Sequence, residues 1–183
     1  MPRASLAALL LAMLAACSAP PDKERGQAEG AIAAARAASA DVYAPTELQA
    51  AEAALARYDA AVAQKDYRAA LSAALDARDR AYEAASHASA AKADARGKAE
   101  QLLQALDDLI QTGNRRLTGA IPPRISGAAG TRVRQAVASA TAALQKARTD
   151  VESGEYPAAI NRLEAAQTAL QAAIDEAAKR GRS

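Results

Sequence analysis

The residue types that most often carry out catalysis or bind metal ions are scarce in this chain. It contains one histidine, His87, and one cysteine, Cys17. A metal site needs several imidazole, thiolate or carboxylate ligands close together, and His87 stands alone in an alanine-rich stretch. We therefore predict that His87 is an ordinary packed or exposed side chain, and that the chain has no metal site and no cofactor.

Two short motifs contain residues that perform chemistry in other proteins. The stretch "SAAK", from Ser89 to Lys92, resembles the Ser-x-x-Lys motif of penicillin-binding enzymes, but their partner motifs Ser-Asp-Asn and Lys-Thr-Gly are absent from the sequence. The adjacent carboxylates of Asp107 and Asp108 project in different directions from a helix, which suits solvation better than acid–base chemistry. We predict no catalytic residue and expect that the protein is not an enzyme.

Basic residues are concentrated between Asp108 and Asp150, a stretch without an acidic residue. One interpretation is a solvated connector and helix face. The other is a basic tip that contacts lipid head groups, lipopolysaccharide phosphates or an acidic protein surface. Nucleic acid is not expected as a partner, because the stretch has no aromatic residues to stack on bases. The candidate contacts are Arg115, Arg116, Arg124, Arg132 and Arg134.

The cysteine directly follows a short apolar segment at the start of the sequence. Arg3 precedes an apolar run over residues 6–14, and the small residues Ala15 and Ala16 lead into Cys17. This order is typical of a signal peptide, and the run is shorter than the roughly 20 apolar residues that span a bilayer. The segment "LAAC" resembles the lipobox of bacterial lipoproteins.

The lipobox resemblance implies that residues 1–16 are a signal peptide and that Cys17 becomes the lipid-bearing first residue. An ordinary secretory signal that contains a cysteine is the alternative. Ser18 stands where an aspartate would retain such a lipoprotein in the inner membrane, which implies the outer membrane and a chain that faces the periplasm. A lipidated Cys17 is not available for a Cys-His catalytic pair.

The composition predicts an all-α fold. Hydrophobic residues make up 51% of the chain, most of them alanine, and Phe and Trp are absent. Alanine is the strongest helix former, and Glu, Gln, Lys and Arg follow it closely. The formal net charge of +2 gives no indication of a nucleic-acid-binding protein.

Apolar spacing and breaker residues predict two long antiparallel helical hairpins, coiled-coil-like or bundle-like, after a short N-terminal helix. Spacings of three and four residues from Leu48 to Val62 indicate a helical seam. Glycines and prolines after Thr112 indicate an interruption. The predicted order is a lipidated flexible tether over residues 17–30, hairpin 1 over 31–112, a connector loop over 113–130 and hairpin 2 over 131–183.

The two predicted hairpins repeat each other at an offset of 89 residues. The stretches "DYRAALSAALDA" and "EYPAAINRLEAA" place Tyr67 over Tyr156, just after the turn of each hairpin. Both stretches resemble the inter-helix turn of tetratricopeptide repeats, although the 34-residue period of those repeats is absent. We interpret the two tyrosines as structural residues that close the hairpins.

The lipobox, "YAPTELQAAEAAL" and "KDYRAAL" together are similar to an uncharacterised family of alanine-rich envelope lipoproteins. The similarity covers about residues 41–90 and implies a location in the cell envelope. Because the activity of that family is unknown, the similarity implies no mechanism.

We expect a membrane-anchored, non-catalytic adaptor or scaffold that presents helical hairpins to a protein partner in the periplasm. The grooves beside its tyrosines are the expected contact surfaces, namely those of Tyr58, Tyr67, Tyr82 and Tyr156. The alternative is a mechanical spacer or tether between the outer membrane and the cell wall. The sequence indicates neither the identity of the partner nor the oligomeric state.

Overall fold

The chain folds into α-helices in a computed structural model that describes residues 19–121, 125 and 127–180. Within these residues there is no strand, and the predicted all-α class is confirmed. Cys17, Arg124 and the predicted signal peptide lie outside the described residues. The helices are α1 (Asp22–Ala37), α2 (Ala40–Tyr43), α3 (Pro45–Ala63), α4 (Tyr67–Thr118), α5 (Gly127–Glu152) and α6 (Tyr156–Arg180).

The chain divides into two compact units, Met1–Ala91 and Lys92–Ser183, which we call unit 1 and unit 2. Unit 1 contains α1, α2, α3 and the first part of α4, and unit 2 contains the rest of α4 with α5 and α6. In each unit, one long helix precedes a pair of helices that a tight turn joins. No helix among the described residues combines the length and the apolarity that crossing a bilayer requires.

The core of unit 1 consists mainly of alanine. Buried side chains of α1, α3 and the first part of α4 form its apolar clusters. One cluster contains Ala28, Ala54 and Ala77, one from each helix, and none of the three has exposed surface. Since each alanine side chain is a single methyl group, each position contributes little buried apolar area to stability.

Tyr58 is the largest fully buried side chain of unit 1, with 2% of its surface exposed. It packs against Ala70 and Ala74 of α4. Its hydroxyl donates a hydrogen bond of 3.2 Å to Oδ1 of Asp22, and the guanidinium carbon of Arg25 lies 5.8 Å from the centre of its ring. Tyr58 thus connects α3 to both the start of α1 and the start of α4.

Unit 1 is expected to lose stability at alkaline pH through Tyr58. Burial raises the pKa of its phenol above the usual value of about 10, and the hydrogen bond to Asp22 adds to the effect. The corresponding stabilisation is complete below the unfolded pKa and is lost as the pH rises through the higher folded pKa. Thermal melts from about pH 8 to about pH 11 should therefore fall more steeply for the wild type than for Tyr58→Phe. Parallel curves for the two proteins would contradict this assignment.

Unit 2 has a core of larger aliphatic side chains. At the offset of 89 residues, Leu163 and Leu170 occupy the positions of Ala74 and Ala81, and all four are fully buried. At these two positions, the leucines of unit 2 bury more apolar surface than the alanines of unit 1. The large buried residues of this core are Leu106, Ile110, Ile125, Val133, Val137, Leu144, Leu163, Leu170 and Ile174.

The tight turns of the two units have the same backbone geometry. Lys65 and Gly154, which are 89 residues apart, have positive φ angles of 61° and 80°. The next residue of each turn donates its N–H to the carbonyl oxygen five residues earlier, over 2.9 Å from Asp66 and 2.8 Å from Glu155. This is the hydrogen bonding of a Schellman motif. The repeat found in the sequence therefore corresponds to a repeat of backbone structure at these turns.

Each unit has an ion pair between its first and second long helices, and the charge on the second helix is opposite in the two units. In unit 1, Nε of Arg25 on α1 lies 3.6 Å from Oδ1 of Asp59 on α3. In unit 2, Nη2 of Arg148 on α5 lies 3.9 Å from Oδ1 of Asp107 on α4. Arg148 is the residue equivalent to Asp59 at the offset of 89, so the second helix is acidic at this position in unit 1 and basic in unit 2.

The predicted flexible tether is corrected from Asp22 onward, because α1 begins there. Asp22 and Glu24 lie in its first turn, where carboxylates interact favourably with the positive end of the helix dipole. Ala28 and Ala31 are buried on the face of α1 that contacts the rest of unit 1. The sequence predicted a short N-terminal helix only after the tether, because Ala28 is the only buried residue of α1 before Ala31 and gives a weak amphipathic signal.

The predicted connector over residues 113–130 is also corrected, because α4 continues to Thr118 and α5 begins at Gly127. Gly113 is buried inside α4, and a β-carbon there would lie 3.0 Å from Cγ2 of Val137. This glycine permits close packing of α4 against α5 and does not end the helix. The boundaries predicted for the two hairpins, residues 31–112 and 131–183, change accordingly.

Candidate functional site

The residues considered above for catalysis make structural contacts. Nδ1 of His87 lies 3.2 Å from Oε1 of Glu47, and the Glu47 pKa is lowered by a hydrogen bond from its own backbone N–H and by His87. The hydroxyl of Ser89 donates a 2.8 Å hydrogen bond to the carbonyl oxygen of Ala85 in the same helix. Among the described residues, no group of three or more His, Cys, Asp and Glu side chains is arranged to hold a metal ion.

The candidate basic contacts of the described region lie at the end of unit 2 where α4 leads into α5. Arg115 and Arg116 are in the last turn of α4, a favourable position for cations beside a helix carboxyl end. Arg115 and Arg134 each donate to the hydroxyl of a threonine three residues earlier, over 3.3 Å and 3.0 Å. Arg132 lines a groove.

That groove has a volume of about 600 Å³ and lies between α5 and α6. Its floor and walls consist mainly of alanine side chains, and one arginine from each helix borders it. We call it the alanine groove. Its lining residues are Arg132, Gln135, Ala136, Ser139, Ala140, Ala143, Arg162, Ala165, Ala166 and Ala169.

The equivalent positions of unit 1 carry charged side chains that bridge its helix pair. Ala136, Ala165 and Ala169 correspond to Glu47, Asp76 and Arg80 at the offset of 89 residues. Glu47 on α3 meets His87 on α4, and Asp76 on α4 accepts hydrogen bonds from Arg80 and from Arg57 of α3. The Asp76 pKa is lowered chiefly by the hydrogen bond from Arg80, and Arg57 adds to the effect. Unit 1 retains a space of about 410 Å³ nearer its turn, bordered by the Arg57–Asp76 pair.

The charge around the alanine groove is positive. Among the described residues, the Arg132 side chain makes no hydrogen bond or ion pair, whereas Nε of Arg162 lies 2.9 Å from Oδ2 of Asp150. Within the part of the chain that the structure describes, no carboxylate lines the groove. Each carboxylate of α6 already has a partner: Glu164 contacts Lys98, Asp175 contacts Gln171, and Glu176 contacts Arg180.

The tyrosines expected to border partner-binding grooves differ in exposure. Tyr58 is buried, which excludes it as a contact surface in the folded unit. Tyr67 and Tyr156 are half-buried, and Tyr156 packs against the core of unit 2. Tyr82 has 57% of its surface exposed and is the tyrosine best placed to meet another molecule.

The alanine groove could not be predicted from residue types alone, because a groove arises where large side chains are absent. Alanines at positions 136, 165 and 169 are compatible with any helix and do not by themselves indicate a groove. The available signal was the repeat itself: three charged residues of the first copy are replaced by alanine in the second.

In comparisons with protein-family models, curated proteins and solved structures, the chain matches none of them.

Proposed function

We propose that this chain is a lipid-anchored, non-catalytic adaptor of the bacterial cell envelope, held at the outer membrane and facing the periplasm. The lipobox-like "LAAC" ending in Cys17 supports the anchor. Several acyl chains on one residue anchor a protein stably, whereas a single chain holds it only marginally.

The observation that carries the adaptor role is the alanine groove of unit 2. A solvent-open groove of about 600 Å³ between two packed helices is large enough to take side chains or a helix from another protein. The equivalent surface of unit 1 is crossed by the Arg57–Asp76 ion pair and by the contact between Glu47 and His87. Charged side chains thus stand on the surface of the helix pair in unit 1, at Glu47 and Asp76, where unit 2 has the alanines of its larger groove.

Photo-crosslinking in intact cells tests the adaptor function. A diazirine amino acid would be placed, one position at a time, at exposed or half-buried sites of both units, including Ala50, Tyr82 and Ser139 of the full chain. We expect at least one site to give a discrete protein adduct in which mass spectrometry identifies a second protein. Adducts to no protein at any site, while the chain is produced and folded, would refute the adaptor function.

A further inference from the structure

We infer that the alanine groove binds an α-helix of a partner protein, a helix with small residues on its contact face and Asp or Glu on its flanks. This inference rests on the proposed adaptor function and adds the chemistry of the partner. The bound helix would be the fourth helix packed in unit 2, beside α5 and α6.

The dimensions of the groove fit a helix. Its lining residues on α5 extend from Arg132 to Ala143. At a rise of 1.5 Å per residue, this makes the alanine groove about 16 Å long, or three helical turns. Ala140 forms a buried floor, while Ala165 and Ala169 are exposed along the side. Because the groove is lined by methyl groups on both sides, the axis of a partner helix could come within about 8 Å of the axes of α5 and α6. This is the short end of the usual range of about 8 to 10 Å between packed helices. Small residues on the incoming face are needed for that approach.

The charges select an acidic helix. Arg132, near one end of the alanine groove, has no side-chain partner among the described residues. Arg162, near the other end, contacts Asp150 through Nε alone. Residues 109–149 include no carboxylate, and those of α6 are already engaged. Unit 2 contains 14 basic and 10 acidic residues, a balance of +4, whereas unit 1 contains 9 and 11, a balance of −2. Glutamates or aspartates on the partner helix would complement both arginines.

Unit 1 supplies a matched control, because its equivalent positions carry larger, charged side chains where unit 2 has alanine. The double variant Ala136→Glu with Ala165→Asp introduces the residues of positions 47 and 76 into unit 2. It fills the alanine groove and adds negative charge that would repel an acidic helix. Arg132→Glu reverses the unpartnered charge alone, and Arg132→Lys retains it.

The test places the diazirine at Ser139 in the full chain within intact cells, with Ala50, its equivalent in unit 1, as the control position. We expect a protein adduct from Ser139 and none from Ala50, and mass spectrometry should find the crosslink in an acidic segment with small residues spaced by three and four. Arg132→Glu should reduce the adduct about tenfold, Arg132→Lys should restore it, and the double variant should abolish it with an unchanged helical circular dichroism spectrum. If the double variant fails to fold, the two variants at exposed Arg132 decide the question.

The outcomes separate this inference from the adaptor function. Protein adducts at Tyr82 but none at Ser139 would overturn the groove inference and leave the adaptor function standing. An adduct from Ser139 to lipid, to a second copy of this chain or to a basic segment would overturn the acidic-helix inference. An adduct of equal yield in Arg132→Glu would also overturn it, since the charge argument would then be wrong.

Discussion

Tyr58→Ala is expected to destabilise unit 1 by about 3 to 5 kcal/mol, the usual cost of truncating a buried aromatic side chain. This loss is a large part of the free energy of unfolding, because whole domains are stabilised by only about 5 to 15 kcal/mol. Ala70 and Ala74, which pack on the ring, are too small to fill the resulting cavity. Hydrogen–deuterium exchange resolved by segment should show faster exchange over residues 22–91 and little change over 92–180.

Two tyrosine variants control for the loss of the ring. Tyr58→Phe removes only the hydroxyl that donates to Asp22 and should cost about 1 kcal/mol. Tyr82→Ala truncates the 57% exposed tyrosine of the same unit and should stay within about 0.5 kcal/mol of the wild type. Equal exchange in Tyr58→Ala and Tyr82→Ala would show that Tyr58 does not support the core.

Cys17→Ser is expected to abolish lipid attachment completely, because the sulfur of Cys17 is the proposed site at which the lipid is bonded. A serine hydroxyl at neutral pH is a much weaker nucleophile than a thiolate. After growth with a labelled fatty acid, the wild-type chain should carry the label, and the variant should be unlabelled and either unprocessed or released into the periplasm.

Ser18→Asp is the matched control for this experiment. It leaves Cys17 intact, so the label should remain, while the lipoprotein resemblance implies that the chain moves to the inner-membrane fraction. Equal labelling of the wild type and Cys17→Ser would overturn the lipoprotein proposal.

Much of the helical core follows from the spacing of aliphatic residues. In the predicted seam of α3, Leu48, Ala51 and Tyr58 are buried, whereas Leu55 and Val62 are partly buried. The seam indicated burial of Tyr58, although its neighbourhood was also considered as a contact surface. Spacings of three and four determine which face of a helix is apolar, and that face is buried in any bundle.

The sequence was less informative wherever the structure depends on small residues. The contact stripe of α1 consists of alanines around Ile32, so the beginning of this helix resembled a tether. Gly113 resembled a break because glycine is the residue of turns, yet in α4 it makes room for Val137. The alanine groove depends on side chains that are missing at 136, 165 and 169. Propensity and periodicity describe what a side chain contributes, and they do not reveal the space that its absence leaves.

The exchanged ion pairs of the two units have a consequence for assembly during folding. A chain that contains two similar helix pairs can misfold when the first helix of one copy docks on the helix pair of the other. If α1 docked on α5 in the way that it docks on α3, Arg25 would lie opposite Arg148. If α4 docked on α3 in the way that it docks on α5, Asp107 would lie opposite Asp59. Each of these exposed ion pairs stabilises its unit by at most about 1 kcal/mol. Wrong docking, however, would replace an attractive pair of charges with a repulsive pair in both units. The mismatch of alanine and leucine core positions adds a steric penalty. We expect the inverted charges and this mismatch together to favour docking of each helix within its own unit.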